Sequence, residues 1–247
     1  MHLANVEYKR FPDGELLVEV SESVVDAERV VIVASTPNDS SYIELLELID
    51  ACSRAETIDL VMPYMGYARQ DKLFEKGQPI TARALARAVS RDVDSVTTVN
   101  VHETTVFEWF DAETHNIDAT HLLGRHIHES VDLTDPLTLA PDSSAMGLAD
   151  SVKGEIGGES NHLDKTRISG DEVEIYTKDV SADNRDVVII DDMISTGSTM
   201  SEAVNLLRRQ NAKSIHVARV STERNNQALL RGCQGHNSDR HTRNRRE

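Results

Sequence analysis

The chain has 247 residues, a formal charge of −16 at pH 7, 39% hydrophobic residues and 4% aromatic ones. That length suits one large α/β domain or two smaller ones with an interior of Val, Ile, Leu and Ala. The charge argues against general nucleic-acid binding, which needs a basic footprint, and no apolar run reaches a membrane span or the core of a signal peptide. Two cysteines, Cys52 and Cys233, have neither metal-ligand spacing nor the count of a disulfide framework. A cytoplasmic protein with no nucleic-acid or membrane partner is expected. Arg outnumbers Lys and Asp is abundant, which reads as a surface adapted to high salt, where screening removes self-repulsion.

Taken in order, Tyr8 to Val20 reads as a hairpin, with a turn at Pro12, Asp13 and Gly14 and an exposed or edge strand over Glu15 to Val20. Arg29 to Ser35 is a buried strand. Asp39 to Ala55 is a helix with an apolar face of Ile43, Leu45, Leu46, Leu48 and Ile49, and Thr57 to Met62 is a strand again. The period switches from two to 3.6 and back, the mark of parallel α/β units. Pro63 and Gly66 then break the chain, and Tyr64, Tyr67, Arg69, Gln70, Asp71 and Lys72 gather aromatic, cationic and amide groups after a strand's carboxyl end, a ligand-site position. Thr81 to Val89 is a helix with Arg83 and Arg87 on its solvated face. Val96 to Val101 is a strand followed by His102 and Glu103, and His102 is open to two readings, a polar cap or a metal ligand.

A helix pattern runs from Ile117 to Val131 with His121, His126 and His128 at its surface, and Leu137 to Ala140 is a strand. Pro141, Asp142, Ser143 and Ser144 open a turn into the next helix, and Gly154 to Asn161 reads as a connection. Lys165 and Arg167, two apart on an extended segment, share one side and either face a polyphosphate or are solvated. The most informative run is Val187 to Met200, VVIIDDMISTGSTM. Val187 to Ile190 form a strand buried on both faces, and Ser201 to Gln210 carry the spacing of a helix. Between them Ser195, Thr196, Gly197, Ser198 and Thr199 offer hydroxyls and backbone N–H groups with little bulk, and the helix start adds its orphan donors. Asp191 and Asp192 at the strand's carboxyl end can accept from vicinal hydroxyls or hold a hydrated Mg²⁺. The pattern is neither a P-loop nor a dinucleotide turn. It fits a sugar phosphate better than the alternative, a strand that ends in an Asp-rich helix cap.

The run resembles the ribose-5-phosphate loop of type I phosphoribosyltransferases and ribose-phosphate pyrophosphokinases. KRFPDGE, PYMGYARQDK and LDKTRISGDEVEI, in this order with it, are similar to the signature stretches of the pyrophosphokinases, of archaeal type. The resemblance covers Lys9 to about Val220. It implies an α/β fold of two tandem type I phosphoribosyltransferase-like domains with mainly parallel sheets, at 1–116 and 117–220. It also implies Mg²⁺ dependence and transfer of the β,γ-diphosphoryl group of ATP, as co-substrate, to the 1-hydroxyl of ribose 5-phosphate. Carried over by position, Phe11 would stack on adenine while Asp13, Gly14 and Glu15 bond its edge, from a neighbouring subunit of a homo-oligomer. Arg69, Gln70 and Asp71 would lie at the nucleotide, and His102 and Asp142 match Mg²⁺-associated positions. Lys165 matches the catalytic lysine, with Arg167 on ribose 5-phosphate and the transferring group, and Asp191, Asp192 and Ser195 to Thr199 would hold the sugar phosphate.

Three departures from the family pattern stand out. Asn100 occupies a position that is acidic in many members, which predicts weaker metal binding. A strand and helix are expected before Val6, pointing to a misplaced start. From Ser221 the sign of the charge reverses, with six Arg against three acids, and 221–247 reads as a disordered basic tail, as a shifted reading frame would produce. Two rival functions are a phosphoribosyltransferase, which FPDGE and YARQD oppose, and an inactive or regulatory homologue, which Lys165 and Arg167 oppose.

Overall fold

Short β-branched runs alternating with helical periods build two α/β units, Met1–Ala119 and Thr120–Val220, the second including a strand at Arg231–Gly232. The computed structural model describes residues 3–169, 172–177, 181–192, 197–220 and 231–232, with the backbone alone described at 25, 165–169, 172–177, 198, 199, 231 and 232.

In the first unit, β1 (Val6–Arg10) and β2 (Leu16–Val20) pair antiparallel from Val6↔Val20 to Arg10↔Leu16 as a sheet of their own. After the short α1 (Glu22–Val25) come β3 (Val30–Val33), α2 (Asp39–Ala51), β4 (Ile58–Met62), α3 (Thr81–Ser90), β5 (Ser95–Val99) and β6 (Glu113–Ile117). The last four strands form one parallel sheet, β3-β4-β5-β6. Leu60 and Met62 of β4 and Val96 of β5 are fully buried against Tyr42, Leu45 and Ile49 of α2 and Ala82, Ala86 and Val89 of α3. Helix α2 starts on a reciprocal cap in which Asn38 and Ser41 each accept from the other's backbone N–H at 3.1 Å. It also carries the hairpin, since Glu47 Oε2 accepts from Val18 N at 2.9 Å and Arg10 Nη2 donates to Ser40 Oγ at 2.7 Å.

The second unit runs α4 (Thr120–Ser130), β7 (Pro136–Ala140), α5 (Met146–Ile156), β8 (Glu159–Ser169), β9 (Glu172–Thr177), β10 (Asp186–Asp191), α6 (Ser198–Arg209), β11 (Ser214–Arg219) and β12 (Arg231–Gly232). Its sheet order is β12-β11-β10-β7-β8-β9, with β11, β10, β7 and β8 parallel and both outer strands antiparallel. Leu137, Leu139, Val187 and Ile189 meet Met200, Ala203 and Leu207 of α6 on one face. Ala140, Val188 and Ile190 meet Leu123 and Ile127 of α4 and Ala149 and Val152 of α5 on the other. Helices on both faces explain why β10 reads as an unbroken apolar run.

Several expectations are corrected. Glu113–Ile117 is a strand, hidden from sequence reading because four of its five residues are exposed on the sheet edge, and the following helix starts at Thr120. Residues 154–156 belong to α5 and 159–161 to β8, so the connection shrinks to Gly157 and Gly158. Helix α2 ends at Ala51 and buries Tyr42 while Ile43 is 53% exposed. β3 is an edge strand rather than a buried one, with Val33 66% exposed. Helix α6 begins at Ser198, so Ser198 and Thr199 form its first turn. β11 gains a later partner, Arg231–Gly232, through His216↔Gly232 and Val217↔Arg231. The remainder of the tail, 221–230 and 233–247 with Cys233, lies outside the described residues.

At the amino ends of β10 and β11 the Asp186 carboxylate, 3% exposed, accepts from Thr134 N at 2.7 Å, Lys213 Nζ at 2.8 Å and Ser214 Oγ at 2.6 Å. Burial alone pushes its carboxyl up, but the Lys213 and Ser214 hydrogen bonds, the Thr134 N–H and the Lys213 charge together hold it below its ordinary value. A carboxyl lowered by folding adds stability above its unfolded value and loses it as pH falls through the folded one. Asp186→Asn is therefore expected to cost about 2 kcal/mol at pH 7 in urea unfolding. The gap should close on acidification below about pH 4; a gap that is constant with pH would contradict the assignment.

Candidate active site

In the second unit the parallel register gathers the sequence-predicted groups at one edge. β10 ends in Asp191, whose Oδ1 accepts from Asp192 N at 2.9 Å and whose carbonyl accepts from Val220 N at 3.2 Å, tying the pair to the end of β11. Gly197 precedes α6 with φ of 78°, in the left-handed region that glycine enters without strain, and its carbonyl accepts from Ser201 N at 2.8 Å. Ser195 and Thr196 of the same loop lie outside the described residues, and Ser198 and Thr199 are placed by backbone alone. Beyond the end of β7, Asp142 Oδ1 accepts from Ser144 N at 3.0 Å and from the Ser144 hydroxyl, shaping the turn into α5.

β8 is longer than its neighbour. It pairs with β7 as far as Ala140↔His162 and then continues as a hairpin arm with β9, where Lys165 stands opposite Ile175 and Arg167 opposite Val173. Lys165 is three residues past His162, or about 10 Å beyond the last β7 pair at strand rise. The two positions share one face by strand alternation. On the other face His162 Nε2 lies 3.5 Å from Asp164 Oδ1.

In the first unit the loop after β4 is fixed from beneath. Thr36, fully buried after β3, accepts at Oγ1 from Gly66 N at 3.2 Å, donates from the same hydroxyl to Tyr64 O at 3.3 Å and bonds Tyr64 O again through its backbone N at 2.9 Å. The Tyr42 hydroxyl donates to Gly66 O at 2.8 Å. Burial pushes that hydroxyl up to about 12, against the lowering by its Thr36 hydrogen bond, so it remains a donor at all ordinary pH. Tyr67 is held at φ 60° with its ring 6.0 Å from that of Tyr42 and its hydroxyl bonded to Asp39. Ala68 is buried, and this anchor leaves Arg69 and Gln70 exposed beside it. Gln70 is strapped on both sides, its N to Tyr67 O at 2.9 Å and its O to Ala82 N at 3.2 Å.

His102 follows β5, the strand next to β4, so His102 and the Arg69 to Asp71 segment share the carboxyl edge of that sheet. The hairpin turn is closed by Phe11 N to Glu15 O at 2.9 Å, Gly14 N to Phe11 O at 2.9 Å and Glu15 N to Asp13 Oδ1 at 3.2 Å, with Lys9 Nζ 5.0 Å over the Phe11 ring. It packs on α2 and, among the described residues, joins no other strand. Among the described residues no three His, Cys, Asp or Glu side chains form a metal-ligand set. The acids at strand ends suit Mg²⁺, which keeps several waters and takes one or two carboxylates with substrate phosphates. Cys52 is buried, and burial pushes its thiol up, as in an inert cysteine. Sequence reading missed Thr36, Tyr42 and Gly66 as the support of the Arg69 loop; Tyr42, at the spacing of Leu45 and Ile49, carried the one periodic signal.

The fold and its decorated strand ends define a phosphoribosyltransferase-type protein, and the family described as phosphoribosyl transferase domain matches residues 113–232. Residues 1–91 match the N-terminal domain of ribose phosphate pyrophosphokinase. The ribose-phosphate pyrophosphokinase of Methanosarcina mazei is 45% identical over 225 residues, 91% of this chain and 75% of the relative. That of Halobacterium salinarum is 48% identical over 208 residues, 83% and 73% of the two chains. The crystal structure of phosphoribosylpyrophosphate synthetase from Mycobacterium smegmatis superposes with a TM-score of 0.76 at 29% identity, covering 88% of this chain and 72% of that one. The chain belongs to the ribose-phosphate pyrophosphokinase family.

A Cβ on Gly66 would sit 2.1 Å from Thr36 O, a backbone atom that cannot step aside. Gly66→Ala is expected to lose at least about 3 kcal/mol. Tyr42→Phe should lose only about 1–2 kcal/mol for one buried hydrogen bond. Equal urea midpoints for the two variants would show that the close approach at Gly66 is unimportant.

Proposed function

We propose that this chain joins ATP and ribose 5-phosphate to give phosphoribosyl pyrophosphate and AMP. The observation that carries this reading is the match of residues 1–91 to a pyrophosphokinase N-terminal domain, beside a phosphoribosyl transferase domain. A phosphoribosyltransferase alone would account for the second match but not the first. In the reaction the 1-hydroxyl oxygen of the sugar forms a bond to the β-phosphorus, the bond from that phosphorus to the α,β-bridging oxygen breaks, AMP leaves with the electron pair, and the hydroxyl proton is released. Charge builds on equatorial phosphoryl oxygens, so the protein aligns the nucleophile and supplies positive charge.

In this reading Asp191 and Asp192 accept from the ribose hydroxyls, and Ser195, Thr196, Gly197, Ser198 and Thr199 surround the 5-phosphate. Lys165 and Arg167 face the transferring group, Lys as a compact charge and Arg as a planar fork, so exchanging them would not be neutral. Arg69, Gln70 and Asp71 contact the nucleotide. Phe11, Asp13, Gly14 and Glu15 reach the adenine of a neighbouring subunit, which makes the active form a homo-oligomer. His102 and Asp142 each match a Mg²⁺-associated position, and Mg²⁺ bound with the nucleotide would screen the phosphate charge. The cytoplasm and high salt are the proposed setting, on the charge of −16.

Incubated with ATP, Mg²⁺ and ribose 5-phosphate, the protein is expected to form AMP; ADP as the product would mean γ-phosphoryl transfer and end this reading. Thr196→Val with Thr199→Val removes two hydroxyl donors, each worth about 1.5–3 kcal/mol to a charged phosphate. Ribose 5-phosphate should then bind weakly while ATP binding is largely kept, and equal loss of both ligands would show the loop misassigned.

A further inference from the structure

Two side-chain amides hold the turn that carries His102, and one of them is matched to a carboxylate. β5 ends at Val99, and Asn100 follows with φ of 41°, a left-handed conformation that Asn tolerates better than most residues. Its backbone N donates to Ile117 O at 3.0 Å. Its side chain closes the gap to the residues after β6, with Oδ1 accepting from Ala119 N at 2.7 Å and Nδ2 donating to Asp118 Oδ1 at 2.9 Å. Asn116 adds a second tie, since its Oδ1 accepts from Thr98 Oγ1 at 3.0 Å and from Val101 N at 3.2 Å. The residues on the amino side of His102 are therefore fixed to 116–119, and the chain direction at His102 is set before its own side chain is considered.

The polarity of the Asn100 amide is not arbitrary. A backbone N–H can only donate, so the oxygen must face Ala119 and the nitrogen is left facing Asp118. A carboxylate at position 100 could still accept from Ala119, but it would present a second acceptor to Asp118 with no proton between them. We propose that Asn100 and Asp118 are positioning residues, a matched amide and carboxylate that orient the His102 turn toward a divalent cation and nucleotide phosphates. This rests on the reading of His102 given above. It reverses the expectation from sequence that an amide at 100 weakens the metal site, because in this chain the amide is the partner Asp118 requires.

The test is a cycle of Asn100→Asp, Asp118→Asn and the double exchange, read by calorimetric titration with Mg²⁺ and ATP and by melting temperature. Asn100→Asp sets two acceptors face to face, and Mg²⁺–ATP should bind about tenfold more weakly. Asp118→Asn keeps an acceptor for the Asn100 amide and should cost less. The double exchange restores a donor facing an acceptor, from Asn at 118 to Asp at 100, and should recover most of the lost affinity and melting temperature. Ribose 5-phosphate binding should stay within about twofold throughout, as expected for a change confined to hydrogen bonds of the other unit. The proposal is overturned if the double exchange binds no better than Asn100→Asp. It is overturned equally if melting temperatures are coupled across the cycle while nucleotide affinity is not, or if His102→Ala binds Mg²⁺–ATP like the unaltered protein. Both readouts stand independently of whether AMP forms, so they separate a failure of this pair from a failure of the assigned reaction.

Discussion

Parallel pairing is the constraint on which the second unit depends. Because β7, β8, β10 and β11 all run the same way, every segment that leaves a strand emerges at one edge, and every segment that enters emerges at the other. The two edges then specialise. At the entering edge Asp186 bonds Thr134, Lys213 and Ser214, and Arg185 bonds Glu159 at 2.6 Å and Asp135 at 3.1 Å. Those charges are spent on each other. At the leaving edge Asp191 ends β10 while Asp142, Asp192 and Gly197 follow strand ends, where backbone geometry can be tuned without disturbing the sheet. The antiparallel arm of β8 and β9 is the exception, and it carries two cations past the edge instead of ending at it.

The fold was legible wherever burial imposed a period. β7, wholly buried, and β10, buried up to Ile190, are found by their apolar runs, and α3 by its alternation of Ala and Arg. Sequence reading failed where an element is exposed. Glu113–Ile117 pairs with β5 over its full length, yet Glu113, His115, Asn116 and Ile117 are exposed and the strand carries no hydrophobic alternation. The split of α5 and β8 was blurred for a different reason, since Gly154, Ser160 and Asn161 are turn-forming residues that tertiary packing keeps in helix and strand. The candidate site was legible in its chemistry and not in its support. Asp191, Gly197, Lys165 and Arg69 announce themselves by residue type in a motif. Thr36, Tyr42, Asn116 and Asp118 act through hydrogen bonds across 15 to 30 residues of chain, which no local spacing can reveal.

An acidic protein that handles polyanions meets an electrostatic conflict. Asp and Glu number 42 against 26 Lys and Arg, so the mean field repels a nucleotide. The cations assigned to the ligands in the proposed reading, Arg69, Lys165 and Arg167, lie on the loop after β4 and on the long strand β8. At high ionic strength the long-range repulsion is damped within a few ångströms, while contacts at hydrogen-bond distance survive. A charge distribution of this kind separates the surface, which keeps the protein dissolved, from the short-range contacts that select the ligand.

Gly197 leaves α6 without a side chain to cap it. Ser, Thr or Asp at that position could cap the helix, but over glycine such a cap is worth only a few tenths of a kcal/mol and the left-handed backbone would strain any of them. Glycine makes no such bond, so position 197 supplies no side-chain partner to the first amides of the helix. On the proposed reading a bound phosphate would be the missing cap. Occupancy and helix stability would then be thermodynamically linked, and the substrate itself would complete the secondary structure of the domain proposed to bind it.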